Sequence, residues 1–232
     1  MRYLCYLFST TWFFLLLSNS MQAQNRRDFG IWSGLKINQK LTDNLSASLR
    51  GQVRLKGNAA YFRNTFANLS LNYKFHKIFA LTAGYRYSIR NNGNNHRAYA
   101  DAKFIYKIKE ARTTFKLRLR AQYNTSNDYS DVPSTLLRPR FYMAYAPKGS
   151  FLKRFDFYIT AEIFYEFIQS SQALNKYRLS AGLIYELSKN IDLNLRYIYQ
   201  DEIGIAAPVQ DNVLYIVLAI DLPGFKNKKK SK

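Results

Sequence analysis

The chain has 232 residues, of which 47% are hydrophobic and 16% aromatic, and its 35 Lys and Arg against 15 Asp and Glu give a formal net charge of +20. This apolar fraction is too high for a disordered chain, and the length suits one or two domains. One Cys and two His exclude a disulfide scaffold and a Cys- or His-rich metal site, so no cofactor is expected.

The first 23 residues have the order of a secretory signal peptide. Arg2 is the basic start, residues 7–17 form the apolar run, and the small Ala23 precedes a polar stretch. An apolar run of about 11 residues is well short of the roughly 20 that span a bilayer as a helix. We expect cleavage near Ala23 or Gln24, which would also remove Cys5, and a folded domain over residues 25–222.

From residue 25 onward, apolar and polar side chains alternate with a period of two. In 45–55, Leu, Ala and Val occupy odd positions, while Ser, Arg and Gln occupy even ones. This is the pattern of a strand with two different faces. It predicts eleven strands, over 29–41, 45–55, 65–75, 79–90, 98–108, 115–123, 136–145, 155–167, 177–187, 191–199 and 213–222.

Two of these strands are less regular. Pro139 removes a backbone donor from strand 136–145, which predicts a bulge or a distorted ladder there. Strand 213–222 is apolar at both odd and even positions, so its orientation stays open.

The predicted connections alternate in length along the chain. Tight turns at 42–44, 76–77, 109–111 and 188–190 alternate with longer polar links at 56–60, 91–95, 124–133, 168–175 and 201–212. Such spacing is typical of an antiparallel up-and-down meander with short turns at one end. In a membrane protein the short turns are expected on the periplasmic side.

Three features favour a transmembrane β-barrel with its apolar face outward. The strands match a tilted bilayer span, aromatic residues such as Tyr73 and Tyr85 gather near strand ends, and the polar face is rich in Arg. We therefore expect an all-β, antiparallel up-and-down barrel. Antiparallel closure requires an even number of strands, which favours about twelve, or ten as the alternative. A secreted soluble barrel or sandwich with an aromatic core uses the same alternation and remains open.

Short motifs give a resemblance to a known family. The start Asp28-Phe29-Gly30-Ile31-Trp32, the basic strand end Gln52-Val53-Arg54 and the segment Tyr85-Arg86-Tyr87 resemble an uncharacterised family of small outer-membrane β-barrel proteins, common in the Bacteroidetes. The resemblance implies a barrel fold in the cell outer membrane of a Gram-negative bacterium. It implies no known activity.

With the apolar face outward, charged side chains lie inside a narrow lumen. Opposite charges should pair there, above all between the acids of strand 155–167 and the Arg and Lys of its neighbours. The candidate charge network consists of Arg50, Arg86, Asp101, Lys103, Arg118, Arg138, Arg140, Glu162, Glu166, Arg178 and Arg196. Inward cations outnumber inward acids about two to one, which favours a structural barrel or a narrow channel or binding site for small anionic solutes.

An enzyme is the contrasting hypothesis. A lipid-modifying barrel, of acyl hydrolase or transferase type, would need a Ser and His pair facing the lipid. His96 follows a loop and has Ser88 on the preceding strand, but Ser88 has the parity of the inner face. No residue is therefore predicted to be catalytic.

The expected partners follow from the membrane location. Cations at loop ends, including Arg90 and Arg97, are expected to meet phosphates of outer-membrane lipid and lipopolysaccharide. Phe225, ahead of the Lys-rich tail over 223–232, is a candidate recognition residue for the outer-membrane assembly machinery. Nucleic acid is not expected, because the cations alternate along strands in a chain that is exported.

Overall fold

The computed structural model describes residues 26–127, 132–149, 151–168, 171–204 and 208–224. The predicted signal peptide over 1–23 and the tail from Phe225 onward lie outside these residues. Within the described ranges no helix is long and apolar enough to cross a membrane.

The described residues form a closed barrel. Its strands are β1 (Arg26–Lys40), β2 (Leu45–Lys56), β3 (Tyr61–His76), β4 (Phe79–Arg90), β5 (Gly93–Ile108), β6 (Thr113–Ser126), β7 (Ser134–Tyr145), β8 (Phe155–Ile168), β9 (Ser171–Ser188), β10 (Ile191–Glu202) and β11 (Val209–Leu222). Strands adjacent in sequence pair antiparallel, so the predicted up-and-down order is confirmed. One 3₁₀ turn, Leu152–Arg154, precedes β8.

The strand number corrects the expected twelve. Every predicted region is a strand, and among the described residues the strands number eleven. The even count rested on antiparallel closure, but β1 and β11 pair parallel, from Arg26 beside Val209 to Gln39 beside Leu222. One parallel seam lets an odd number of strands close. We call the end of the barrel with the turn at 57–60 the upper rim and the opposite end the lower rim. Because β1 and β11 run in the same direction, β1 begins at the upper rim and β11 ends at the lower rim.

The parallel seam gives a direct prediction. Ser33 and Ile216 are register partners across it. We expect Ser33→Cys with Ile216→Cys, in a Cys5→Ala background, to form a disulfide on mild oxidation, because neighbouring strands hold Cα atoms within disulfide range. Closing this loop should change the migration of the boiled protein in SDS gels, and reductant should restore it.

A matched pair controls for chance collision. Ser33→Cys with Ile220→Cys is four residues out of register, since Ile220 lies beside Ile37. It should cross-link poorly. Equal cross-linking of both pairs, or none by the first, would contradict the parallel seam.

Two predicted loop features differ in the structure. The link at 91–95 is mostly strand, since β4 and β5 pair up to Arg90 beside Gly93 and only two residues turn between them. Likewise β8 and β9 pair up to Ile168 beside Ser171, within the link expected at 168–175. A polar segment was expected to be a loop, but polar composition indicates only that the chain has left the apolar part of the wall. The two strands of a hairpin continue to pair beyond that point.

The predicted irregularity at Pro139 is a gap in the ladder and not a bulge. The register of β7 with β8 is the same on both sides of it, with Leu137 beside Tyr165 and Arg140 beside Glu162. Pairing of Pro139 with Leu119 on the other side is uninterrupted. A Pro without an N–H removes hydrogen bonds from one side only, so no extra residue is inserted.

The orientation of the faces is that of a membrane barrel. In the middle of β3, Leu69 is 55% exposed whereas its neighbour Asn68, facing inward, is 7% exposed. The same alternation recurs around the wall, so leucines and many of the aromatic rings face outward, whereas amides and most charges face inward. At the lower rim Tyr73, Phe75 and Phe79 form consecutive ring contacts with centroids 4.6 and 5.9 Å apart. This band matches an expected aromatic girdle.

The orientation of β11, open in the sequence, is decided by packing. Val213, Tyr215 and Val217 face inward and bury against Trp32 and Ile198. The middle of the seam side is therefore apolar, and charged residues on these strands lie nearer the rims, such as Asp211, which pairs with Arg63, and Lys36.

Two tyrosines lie flat on the inner wall because glycines make room for them. A Cβ on Gly84 would lie 2.3 Å from the Tyr99 ring, which crosses β4 so that Asn68 Nδ2 donates to its Oη over 3.0 Å. Gly182 similarly accommodates Tyr158, whose Oη donates to Asn194. Rings held against the wall leave the centre of the barrel to the charged side chains.

Candidate anion-binding lumen

The barrel encloses a cavity of about 980 Å³. Its lining runs from Asn91 at the upper rim to Lys36 and Ile184 in the lower half. Among the described lining residues, Lys and Arg outnumber carboxylates sixteen to two, the carboxylates being Asp101 and Glu166. Glu162, Asp211 and Glu202 lie outside this lining but form ion pairs with cations in it, and with them the ratio is sixteen to five, closer to the two to one expected from the sequence.

A row of charged residues crosses four adjacent strands. The pairing places Arg118 beside Arg140, Arg140 beside Glu162, and Glu162 beside Arg178. Arginines directly opposite each other repel unless an acid joins them. Glu162 is that acid.

Glu162 binds four arginines and its side chain has no exposed surface. Its carboxylate forms ion pairs with Arg138 at 3.0 Å, Arg140 at 2.7 Å and Arg178 at 3.4 Å, and a further close one with Arg118. We call these five residues the Glu162 cluster. Four cations around one anion leave the cluster with three formal positive charges.

A second acid is fully neutralised. Asp101 accepts two hydrogen bonds from Arg120, at 2.6 and 2.8 Å, in a bidentate pair. Asp101 is a predicted member of the charge network and Arg120 is not, although Arg120 has the inward parity of its strand. Next to this pair Lys103 donates to Asn72 over 3.0 Å and has no carboxylate partner within the described residues.

Nearer the upper rim lies a group of arginines without acids. Arg54 stacks over the Trp32 ring at 3.8 Å, and Arg86 stacks over Phe66 at 3.9 Å. Arg97 donates to Asn124 over 2.7 Å. Within the part of the chain that the structure describes, Arg54, Arg86 and Arg97 form no ion pair. Aromatic rings and amides contact these three guanidinium groups without neutralising them, so their positive charge can attract a solute anion.

The structure corrects the expected position of two cations. Arg90 and Arg97 were expected at loop ends against lipid headgroups, yet both line the cavity. Strand pairing extends to Arg90 beside Gly93, so both residues lie in regular strands and follow the inward parity of Arg86 and Asp101.

The other predicted lumen residues also face inward. Arg50 lines the cavity, and Arg196 stacks over Tyr215 at 4.2 Å. The expected pairing of β8 acids with Lys176 does not occur: Lys176 pairs with Glu202 at 3.3 Å, and Glu166 accepts a hydrogen bond from Asn175 instead. The sequence did not reveal that an acid on β10 and a neutral amide on β9 would take these groups instead.

The residues considered for catalysis do not converge. Ser88 is buried on the inner face, while His96 lies on the outer face, where its Nδ1 is 2.5 Å from Tyr85 Oη and its ring packs on Tyr87. In the described ranges, no group of three or more His, Cys, Asp or Glu could hold a metal ion.

Two solved structures with TM-scores just above 0.5 are similar to this chain, and a third is similar at a lower score. A bacterial polysaccharide outer membrane secretin is 11% identical with a TM-score of 0.51, over 76% of this chain and 64% of its own. The NanC porin is 16% identical with a TM-score of 0.51, over 81% of this chain and 92% of its own. The KdgM porin is 16% identical with a TM-score of 0.44, over 71% and 81%.

At these identities the likeness to the secretin and the NanC porin shows a shared fold alone, and the chain spans 64% of the secretin's length. No curated protein matches the chain in sequence. The model of a family described as a protein of unknown function (DUF2490) matches residues 29–207. The match covers most of the barrel and includes Trp32, Arg54 and Glu162, and it confirms the resemblance carried by the opening motif. The chain therefore belongs to this family of unknown function.

Proposed function

We propose that the protein is an outer-membrane barrel whose lumen binds small anionic solutes and lets them pass. The observation that carries this proposal is the sixteen to two excess of cations over carboxylates along the cavity. Rings of cationic side chains in a pore attract anions and repel cations. Low-dielectric walls strengthen this effect, because they focus the field of the charges into the lumen.

The outer membrane is the location that the surface supports. The outward leucines, the aromatic contacts at the lower rim and the likeness to porin folds all support it. Membrane lipid and lipopolysaccharide would then contact the outer face, and the assembly machinery would insert the barrel. We propose no nucleic-acid partner.

We further propose a passive role without catalysis. A lipid-modifying barrel would need its nucleophile and its base on the same, lipid-facing side. Ser88 and His96 are on opposite faces of the wall, which supports the passive role.

Ion selectivity tests the proposed function. In planar bilayers under a KCl gradient, the reversal potential of the purified barrel should show preference for chloride. Arg86→Glu with Arg97→Glu should shift the reversal potential toward cation preference, because both side chains line the cavity and neither has a carboxylate partner among the described residues.

A control changes the same charge outside the lumen. Lys77→Glu with Lys189→Glu alters turns at the lower rim and should leave the reversal potential nearly unchanged. Cation preference in the unaltered barrel, or no conductance, would contradict an anion channel.

A further inference from the structure

Three buried donors that are neighbours on β1 and β2 lack an acceptor. Trp32 Nε1, Gln52 Nε2 and Arg54 Nε have no hydrogen-bond partner within the described residues. Trp32 and Gln52 are each only 3% exposed, and all three residues line the cavity. Buried polar atoms without a partner are rare in native proteins, so each one needs an explanation.

The three residues are neighbours on the pair β1 and β2. Trp32 lies directly beside Arg54, and Gln52 is the next inward residue along the same strand. We call them the donor triad. Arg54 Nη2 donates to Gln52 Oε1 over 3.3 Å, which turns the amide so that its NH₂ points away from the guanidinium. The contact therefore fixes which end of Gln52 is free.

The surroundings of the donor triad are cationic. Arg86 and Arg54 stack on the Phe66 ring at 3.9 and 4.9 Å, and Arg178 lies 5.4 Å from the Trp32 ring. The described residues offer the triad no carboxylate. A guanidinium Nε beside neutral N–H groups suits an acceptor with two or more oxygens, such as a carboxylate or a phosphate.

Other arginines in the lumen differ from this site. Arg118, Arg138 and Arg140 also have a buried Nε without a partner, but each binds Glu162 through another nitrogen. Their charge already has an acid. Arg196 on β10 also has a buried Nε without a partner and no ion pair among the described residues, but no unpartnered indole or amide donor lies on the adjacent strands β9 and β11. Among these described sites, the donor triad alone combines an indole, an amide and a guanidinium donor with no acid.

We propose that the donor triad is the oxyanion-binding site of the lumen, which takes the carboxylate or phosphate group of a small solute. The site rests on the proposed anion-binding function and deepens it, because it assigns selectivity for oxyanions over halides to three residues. A bound oxyanion would supply acceptors to all three donors and offset the local positive charge.

The chain provides its own reporter. Its two Trp are Trp12, in the predicted signal peptide, and Trp32, in the triad. In a Trp12→Phe background, Trp32 is the single indole of the folded barrel in detergent. At constant ionic strength, sodium acetate and sodium phosphate should change its fluorescence saturably, with an apparent Kd at least tenfold below that for sodium chloride. The tighter of the two oxyanions distinguishes a carboxylate solute from a phosphorylated one.

Two variants and a matched control test the assignment. Gln52→Glu places an acceptor inside the site and should abolish the acetate and phosphate response, and Gln52→Leu, which adds no charge, should weaken it about tenfold. Gln122→Glu makes the same change at another cavity-lining side chain that is 3% exposed, on β6 and four strands away from β2, and should weaken it less than threefold. Heat-modifiable migration in SDS gels checks that each variant is folded.

The outcomes separate the site from the proposed function. If the barrel prefers chloride over potassium in bilayers but Trp32 responds alike to acetate, phosphate and chloride, the oxyanion site is wrong and the anion lumen stands. Equal loss of binding in folded Gln52→Glu and Gln122→Glu would also overturn the site. A barrel that neither binds nor conducts anions overturns both proposals.

Discussion

Glu162→Gln is expected to destabilise the barrel more than any other single substitution of a lumen residue. The change keeps the shape of the side chain but removes the one carboxylate that four arginines share. Removing one partner of a buried charge pair costs about 3–5 kcal/mol, because the remaining charge stays buried without compensation. The midpoint of urea unfolding, followed in detergent or lipid vesicles, should fall accordingly.

Two further variants make the interpretation specific. Asp43→Asn breaks the pair with Lys40 at 2.7 Å in an exposed turn and should leave the midpoint unchanged. Adding Arg140→Gln to Glu162→Gln should recover part of the lost stability, since one fewer cation is then left without an acid. If Glu162→Gln unfolds at the same urea concentration as the unaltered barrel, the cluster does not stabilise the wall.

Leu69→Arg is expected to destabilise the inserted barrel by about 2–4 kcal/mol, because a cation on the lipid face is costly near the middle of the bilayer. Leu69 lies midway along β3 and is among the most exposed leucines of the outer face. Equilibrium unfolding from lipid vesicles measures the effect.

Tyr61→Arg is the control, since it introduces the same side chain at a different depth. Tyr61 begins the same strand at the upper rim and is also exposed. The same side chain should cost only about 0–1 kcal/mol there, near the interface. Equal costs at the two positions, or a Leu69→Arg protein that stays monomeric in detergent-free buffer, would mean that the outer face does not meet lipid.

The arginines of the lumen form two groups, which differ in whether they pair with an acid. Arg118, Arg138 and Arg140 are held by Glu162 and tie β6, β7 and β8 together across the inner wall. Arg54 and Arg86 rest on aromatic rings and have no acid among the described residues. The first group supports the wall, and the second supplies the field that the proposed function needs. Stability and selectivity should therefore respond to different substitutions.

Part of the candidate site was predictable from parity alone. Glu162, Arg140 and Arg178 were predicted to face inward on neighbouring strands, and they are direct register partners. Alternation determines the face of a residue because successive side chains of a strand point to opposite sides. Parity also applies to Arg97, which was assigned to the headgroups only because a loop was expected there.

The donor triad was not predictable in the same way. The sequence contains Trp32, Gln52 and Arg54, but nothing in it shows that their donors lack acceptors. That property depends on which groups approach from other strands, such as the Phe66 ring, which supports Arg54 at 4.9 Å.

The sequence by itself determined the fold class, the eleven strand regions and the face of nearly every side chain, because a period of two is a local property that each strand carries. Only the tertiary structure decided how the barrel closes, which way β11 faces and which charges are neutralised. Closure is decided by pairing between the first and last strands, which no local pattern records. Neutralisation depends likewise on distances across the lumen. Arg140, which pairs with Glu162, and Arg54, which has no acid partner among the described residues, therefore cannot be told apart in sequence.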